Sequence, residues 1–272
     1  MVYRAIGIMS GSSLDGLDIV FAEFQEQAGK WNYEIKEADC YPYSSQWKEK
    51  LRTAIELDAR YYQLLHCEFG HYIGEQVNKF INEKQLQFQA GLVSSHGHTT
   101  FHMPVKRMTA QLGEGAAIAS EVKLPVITDL RSMDVAYGGQ GAPIVPIGEK
   151  YLLGNYDYFL NLGGIANISS NDPNRYIAFD ICAANRVLNM LVNVVGKEFD
   201  DKGEIASSGK PDESLLKKLD ELDYYNQPWP KSLANDFGTD IVYPLVIQSK
   251  LSTPDALRTY TEHIADQITK AV

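Results

Sequence analysis

The stretch that decides the fold lies near the N-terminus and reads RAIGIMSGSSLDGLDIVFAEF, residues 4–24. Apolar residues dominate positions 4–9 and again positions 17–24, which is typical of two β-strands. The segment between them, residues 10–16, is rich in glycine, serine and aspartate, which favour turns. We therefore predict a β-hairpin with a polar, glycine-bearing tip.

The second half of the chain begins with the same pattern. Residues 158–162 are apolar, Gly163 and Gly164 form a turn, and residues 165–169 continue as a strand. Two such hairpins, each opening one half, predict a duplicated architecture rather than a single dinucleotide-binding unit. We place one lobe at residues 1–150 and the other at 151–272, with the site in the cleft between them.

Other elements follow from periodicity and turn residues. Helical spacing covers 45–55 and 61–81, and we expect both helices to pack on one face of the sheet. Short strands are predicted at 91–95, 125–128 and 176–179; the first leads into a histidine-bearing loop at 95–100, and the last ends at Asp180. Further helices are predicted at 185–195, 210–222 and 253–272.

The last of these helices is predicted to begin with Thr253 as N-cap and Pro254 at its first position. Its apolar stripe runs to Val272 without a stop signal. We therefore expect more protein downstream of Val272.

Length, cysteine content, apolar runs and net charge limit the classes of protein to which this chain can belong. The chain has 272 residues and is 44% apolar, enough for two domains of about 100–200 residues. Three widely spaced cysteines predict a reducing, cytoplasmic compartment. No apolar run approaches the roughly 18 residues of a membrane span. A net charge of -10 without a Lys/Arg cluster argues against nucleic acid as a partner.

No Gly-x4-Gly-Lys-Ser/Thr phosphate loop occurs in the sequence. A nucleotide triphosphate can instead be bound by two opposed hairpin turns. Small residues in such turns let backbone N–H groups close around the phosphates from both sides. Taken alone, residues 10–16 are equally consistent with a plain hairpin turn.

Five strings in order carry a resemblance to a known family: GIMSGSSLDG (7–16), SHGHT (95–99), DLR (129–131), GGQGAP (138–143) and NLGGIAN (161–167). They resemble the signature strings of anhydro-N-acetylmuramic acid kinases and span nearly the whole chain. That family belongs to the sugar kinase, Hsp70 and actin superfamily.

The resemblance implies an α/β, duplicated RNase H-like (actin-like ATPase) fold of two lobes, the second incomplete at its C-terminus. It implies a kinase that opens the 1,6-anhydro ring of its sugar with water and moves the γ-phosphoryl group of ATP onto O6. It also implies ATP and Mg²⁺ as cofactors, with no protein metal ligand assigned, and a possible homodimer.

The resemblance also assigns residues. The phosphate-binding set is Ser10, Gly11, Ser12, Ser13, Asp15, Gly16, Gly163 and Gly164. The sugar-binding set is His96, Asp129, Arg131 and Asn185, and Asp180 is the general base that activates water.

Two departures from the family pattern stand out. The family follows the base with Thr-Gly-Pro-Gly-Asn, whereas this chain reads DICAAN over 180–185, which changes the backbone freedom of the expected turn. The family's Gly-Gly-Gly adenosine loop and its late substrate-binding Glu are absent.

Simpler structural roles remain open for several of these residues. Asp180 is also typical of a helix-capping or buried, paired carboxylate. Asp129 and Arg131 are alternatively a structural ion pair. Residues 138–141 are alternatively a flexible connection.

Two rival classes also remain. His96, His98 and His102 have His-x-His spacing, which metallohydrolases use, although a catalytic metal needs about three protein ligands. The other rival is a non-catalytic nucleotide- or sugar-binding module, which turnover would distinguish from a kinase.

Overall fold

Strands and helices are mixed along the whole chain, which confirms the predicted α/β class. The computed structural model describes residues 1–172, 176–234 and 236–272. The chain divides into two units, Met1–Ile144 and Val145–Val272. The boundary predicted at residue 150 falls inside the first helix of the second unit.

The first unit is built on a six-stranded sheet. Its strands are β1 (Val2–Ser10), β2 (Gly16–Gln27), β3 (Lys30–Pro42), β4 (Leu92–Met103), β5 (Met108–Leu112) and β6 (Val126–Ile127). Their order is β3-β2-β1-β4-β5, with β6 also paired to β4. β1 and β2 pair antiparallel, which confirms the N-terminal hairpin, and β1 and β4 pair parallel.

The helices of this unit cover the sheet. They are α1 (Ser45–Arg52), α2 (Ala59–Glu83), α3 (Gly115–Val122) and α4 (Ser132–Ala136), with 3-10 turns at Ala54–Glu56 and Pro104–Lys106. The Asp58 carboxylate caps α2 by accepting from the N–H groups of Arg60 and Tyr61. The fully buried Phe69 and Val77 of α2 belong to the same core as Ile6 of β1. Both predicted helices are therefore confirmed.

The histidine-bearing loop predicted at 95–100 is wrong. These residues lie inside β4, which pairs with β1 and β6 on one stretch and with β5 on another. The register shifts between Thr99 and Phe101, and Gly97 has a positive φ of 70°. The strand continues because its backbone groups are paired by partners that are remote in sequence.

The second unit carries a three-stranded antiparallel sheet, β7 (Tyr158–Leu162), β8 (Ile165–Ser170) and β9 (Ile177–Ala183), in the order β7-β8-β9. Its helices are α5 (Pro146–Leu152), α6 (Asn185–Asn193), α7 (Glu204–Ser207), α8 (Glu213–Asp220), α9 (Tyr243–Gln248) and α10 (Thr253–Ala271). Two 3-10 segments, Asp201–Gly203 and Asp223–Asn226, and a π-helical segment, Phe237–Val242, connect them.

The core of this unit forms where α10 packs on α6 and β9. Tyr260 and Leu257 of α10 are buried with Val187 of α6 and Ile181 of β9. The N-cap of α10 is Ser252 and not Thr253, because the Ser252 hydroxyl accepts from the Asp255 N–H, whereas Thr253 is already helical. Within the described residues, no helix combines the length and apolar character that a bilayer crossing requires.

Candidate functional site

The first glycine turn joins β1 to β2 at residues 11–15 and has an exposed tip. Ser12 and Ser13 are exposed there. The Ser13 hydroxyl donates to Asp15 Oδ1 over 2.6 Å, and the Gly16 N–H donates to the same oxygen over 3.1 Å. The hydrogen bond from Ser13 is the main cause that lowers the pKa of Asp15. The tip therefore offers hydroxyl and N–H groups beside a negative carboxylate.

The residues at the two ends of this turn, Ser10 and Gly16, are packed against the rest of the first unit. Ser10 is only 2% exposed, and its hydroxyl accepts from Tyr43 over 2.8 Å. The Ser10 hydroxyl hydrogen is then donated to His98 Nδ1, 3.1 Å away. At the other end, a Cβ on Gly16 would lie 2.7 Å from the carbonyl oxygen of Tyr41. The Ser10 side chain and Gly16 therefore hold the turn in place, and the Ser10 hydroxyl is engaged within the fold.

His96 and Arg131 form a clasp in the first unit. His96 is 4% exposed, and its Nδ1–H donates to the Gly97 carbonyl over 2.9 Å. Arg131 Nε donates to His96 Nε2 over 2.9 Å, and Nη1 donates to the Gly141 carbonyl over 2.6 Å. Burial, and then the positive charge of Arg131, lower the pKa of His96. Both ring nitrogens of His96 are thus engaged.

This arrangement bears on the metallohydrolase hypothesis. A metal ligand needs a free nitrogen lone pair, and His96 has none to offer. His98 Nδ1 accepts from Ser10, and His102 Nδ1 lies 3.2 Å from Thr109 Oγ1. In the described ranges, no group of three His, Cys, Asp or Glu side chains is arranged to hold a metal. The geometry therefore disfavours a histidine-bound metal at these positions.

The glycine-rich loop at 138–141 is hydrogen-bonded, which argues against a merely flexible connection. The Gly139 N–H donates to the Asp134 carbonyl over 2.8 Å, and the Gly141 N–H donates to Asp134 Oδ2 over 2.7 Å. Arg131 holds the opposite side of Gly141. Asp134 was not among the predicted site residues, and its only signal in the sequence is its position between DLR and GGQG.

Asp129 follows β6, from which Thr128 separates it, so it comes after a strand that is shorter than the one predicted over 125–128. Its φ is +58°, which is uncommon for a residue with a Cβ. The hydroxyl of Thr128 donates to Asp129 Oδ2 over 3.0 Å, and the carboxylate is exposed. The structure thus leaves Asp129 accessible while it commits the Arg131 guanidinium to His96 and Gly141.

The second glycine turn joins β7 to β8. The Gly163 carbonyl accepts from the Asn185 N–H over 3.1 Å, and the Gly164 carbonyl accepts from the Ala184 N–H over 2.8 Å. A Cβ on Gly164 would meet no atom closer than 3.8 Å. A Cβ there would make an ordinary van der Waals contact, so the fold of this unit does not itself require a glycine at this position.

Asn185, predicted to contact the sugar, ties α6 to this turn. Its side-chain Nδ2 donates to the Leu162 carbonyl over 2.9 Å. The residue is exposed. The structure therefore brings Asn185 together with Gly163 and Gly164.

Asp180 lies inside β9 and not at its end, which corrects the prediction. It pairs with Asn167 and is 5% exposed. Its Oδ2 accepts from the Leu233 N–H over 2.8 Å, and its own N–H donates to the Lys231 carbonyl over 3.0 Å. The helix-capping alternative is also wrong, because Ala184 occupies the N-cap position of α6.

The turn predicted after Asp180 is likewise wrong. Ile181, Cys182 and Ala183 are the last strand residues of β9, and Ala184 follows directly before α6. All four are at most 3% exposed, because they pack into the core with α6 and α10. Apolar side chains at these positions therefore favour the strand over a glycine turn.

Residues of the segment 231–233 were missed by the sequence interpretation, which assigned no element there. Lys231 Nζ donates to the Tyr224 carbonyl over 3.0 Å, and burial lowers the pKa of its ammonium group. Tyr224 in turn donates its hydroxyl to the Asp180 carbonyl over 2.5 Å. The segment thus supports the backbone on which the Asp180 carboxylate is mounted.

Comparison with known proteins agrees with the resemblance. Residues 3–272 match the family described as anhydro-N-acetylmuramic acid kinase. The protein of that name from Zymomonas mobilis is 34% identical, over 98% of this chain and 76% of the relative. The one from Rhodopseudomonas palustris is 33% identical, over 88% of this chain and 69% of the relative.

A solved structure shows weaker similarity. The crystal structure of ethanolamine utilization protein EutJ from Carboxydothermus hydrogenoformans is matched at 13% identity with a TM-score of 0.31. The match covers 80% of this chain and 64% of that chain, and similarity at this level carries no argument. The two sequence relatives carry the name of a sugar kinase, which confirms the predicted enzyme class. The chain therefore belongs to the anhydro-N-acetylmuramic acid kinase family.

Proposed function

We propose that the protein is an ATP-dependent kinase that opens the 1,6-anhydro ring of anhydro-N-acetylmuramic acid with water and phosphorylates O6, giving N-acetylmuramic acid 6-phosphate. The observation that carries the proposal is the family match over residues 3–272, together with relatives of that name at 33–34% identity. The two glycine turns and the buried Asp180 supply matching chemistry.

The proposed fold is the two-lobed, RNase H-like architecture of actin-like ATPases. In its support, each unit contains a three-stranded antiparallel meander, β1-β2-β3 in the first and β7-β8-β9 in the second. Each meander carries a glycine turn between its first two strands. We assign both turns to the triphosphate, since small residues at each turn let backbone N–H groups approach phosphate oxygens.

The residues present fit ATP with a divalent cation. The first turn offers exposed Ser12 and Ser13, and the second carries Gly163 and Gly164, which have no side chain to keep a ligand from the backbone. The Asp15 carboxylate would repel a triphosphate unless a cation lay between them, and carboxylate oxygen is a ligand that Mg²⁺ accepts. Bound Mg²⁺ would offset negative charge on the transferring phosphoryl group.

Asp180 is proposed as the base that takes a proton from the attacking water. A buried carboxylate is costly unless it is hydrogen-bonded, and the Leu233 N–H supplies such a bond. The Asp180 N–H donates in turn to the Lys231 carbonyl, so the segment 231–233 fixes both the backbone and the carboxylate of Asp180, as proton transfer requires. On the sugar side, the exposed Asp129 is suited to bind hydroxyl groups, and His96 and Arg131 act by holding the loop at 138–141 in place.

The test is formation of phosphorylated sugar by the purified protein. Asp180→Asn keeps the size of the side chain but cannot accept the proton, so kcat should fall by a factor on the order of 10²–10⁴ with nucleotide affinity nearly unchanged. Asp266→Asn, at an exposed position of α10, is the matched control. Near-normal turnover by a well-folded Asp180→Asn protein would remove Asp180 from the mechanism. Nucleotide or sugar binding by the wild type without turnover would instead favour a binding module.

A second variant tests the phosphate assignment. Gly164→Val should weaken binding of a non-hydrolysable ATP analogue with Mg²⁺ by crowding the turn, and Gly164→Ala, whose Cβ makes only an ordinary contact at 3.8 Å, should weaken it less. Unchanged affinity in a protein with a normal melting temperature would argue against a nucleotide at this turn.

A further inference from the structure

Arg186 is a charged residue whose side chain has no partner among the residues that the structure describes. It lies in the first turn of α6 and is half-buried. Burial lowers the pKa of its guanidinium group, with no carboxylate among the causes. Across residues 1–172, 176–234 and 236–272, its side chain makes no hydrogen bond and no ion pair. Within the described part of the chain, this partly desolvated guanidinium therefore has neither a counter-ion nor a hydrogen-bond acceptor.

Its position places it at the second glycine turn. The Arg186 N–H lies 3.5 Å from the Gly164 carbonyl, and its Cβ would be 3.8 Å from a Cβ built on Gly164. The preceding amides of α6 already donate to the carbonyls of Gly163 and Gly164. The helix terminus is therefore occupied by the hairpin, and the guanidinium is the group that remains available there.

The energetics favour an external partner. A partly desolvated charge without a counter-ion costs stability, and replacing such a group by an apolar side chain is often neutral or stabilising. The planar guanidinium fork binds carboxylate and phosphate oxygens in bidentate fashion. We propose that Arg186 binds an oxyanion of the ligand held at the Gly163–Gly164 turn, either a phosphate of the nucleotide or the carboxylate of the sugar.

This inference rests on the proposed function, because both oxyanions belong to its substrates. It adds a binding residue that the family strings do not include, since Arg186 lies one position beyond DICAAN. The overall charge of -10 makes a local cation at this turn more important for attracting an anionic ligand.

The experiment compares Arg186→Met and Arg186→Lys with the wild type by titration calorimetry. The two probes are a non-hydrolysable ATP analogue with Mg²⁺ and anhydro-N-acetylmuramic acid. Arg186→Met should weaken one probe about tenfold or more, and Arg186→Lys should weaken it less. Loss of analogue binding identifies the phosphate, and loss of sugar binding identifies the carboxylate. Lys197→Met, which removes an exposed positive charge shortly after α6, should bind both probes like the wild type.

Thermal melting separates ligand binding from a structural role. Arg186→Met should melt at the wild-type temperature or above it, because it removes an uncompensated charge. A lower melting temperature together with loss of both probes would overturn the inference in favour of a structural role. Wild-type-like affinity of Arg186→Met for both probes would overturn the inference alone. Failure of the wild type to bind either probe would overturn the proposed function and the inference together.

Discussion

His98 should make the first unit sensitive to mild acid. Its imidazole is 6% exposed in β4 and accepts the Ser10 hydroxyl at Nδ1, so it is held neutral. Burial, and to a smaller extent the nearby His96, lowers the pKa of His98 from 6.5 to about 4. The unfolded chain binds a proton near pH 6.5, whereas the folded chain does so only near pH 4. Stability should therefore fall as the pH falls from about 6.5 to about 4, and His98 should cause no further loss below that.

The size of the effect follows from the shift. Each pKa unit corresponds to about 1.36 kcal/mol, so His98 should remove roughly 3 kcal/mol from the free energy of unfolding over this range. His98→Gln retains an oxygen that accepts the Ser10 hydroxyl but does not titrate. It should therefore lose roughly 2–3 kcal/mol less than the wild type between pH 7.5 and pH 4.5.

Urea unfolding followed by tryptophan fluorescence measures this difference. In a Trp229→Phe background, the signal comes from Trp31 and Trp47, which both lie in the first unit. Protonation of carboxylates lowers stability in both proteins and cancels in the comparison. Gln63→Asn, at an exposed position of α2, removes no titrating group, is the control and should follow the wild type. Parallel pH curves for wild type and His98→Gln would refute the argument from burial.

Two further predictions concern the loops of the first unit. Gly16→Ala should lower stability by about 1–3 kcal/mol, because its Cβ would lie 2.7 Å from a backbone oxygen in β3 that cannot move without disturbing the ladder. Thermal melting checks this against Gly164→Ala, whose Cβ would lie 3.8 Å from its nearest neighbour, and equal melting temperatures for the two variants would contradict it. Arg131→Lys should speed amide hydrogen exchange at residues 138–141, because an ammonium group cannot reproduce the fork that joins His96 and Gly141. Exchange at the wild-type rate would show that the loop does not depend on this clasp, and Arg60→Lys on the exposed start of α2 is the control.

Local patterns predicted the elements that depend on local physics. Turn residues flanked by apolar runs identified both glycine hairpins, and 3.6-residue periodicity identified α2 and α10. β3, an edge strand with most of its side chains exposed, escaped prediction although Trp31, Tyr33 and Ile35 alternate with polar residues, because its second half is charged and does not continue the alternation. The length of β4 escaped because its pairing with β5 and β1 involves distant residues.

For the candidate site, too, some features were predicted from the sequence and others were found only in the structure. Sequence strings identified the two glycine turns, the DLR segment and Asp180 as candidates, and they identified the family. They did not reveal that Asp180 is buried within β9, nor that the four residues after it belong to the core rather than to a turn. Both features arise because apolar side chains at 181–184 pack against α6 and α10.

By itself, then, the sequence determined the family, the α/β class and the positions of the turns, because ordered strings and turn residues act over a few neighbouring positions. Only the tertiary structure decided the chemical state of the site. Ser10 meets His98 across 88 positions, Asp180 meets Leu233 across 53, and Arg131 meets His96 across 35. Whether a histidine stays neutral, a carboxylate is held or an arginine is left unpaired depends on burial and on partners that only folding brings together.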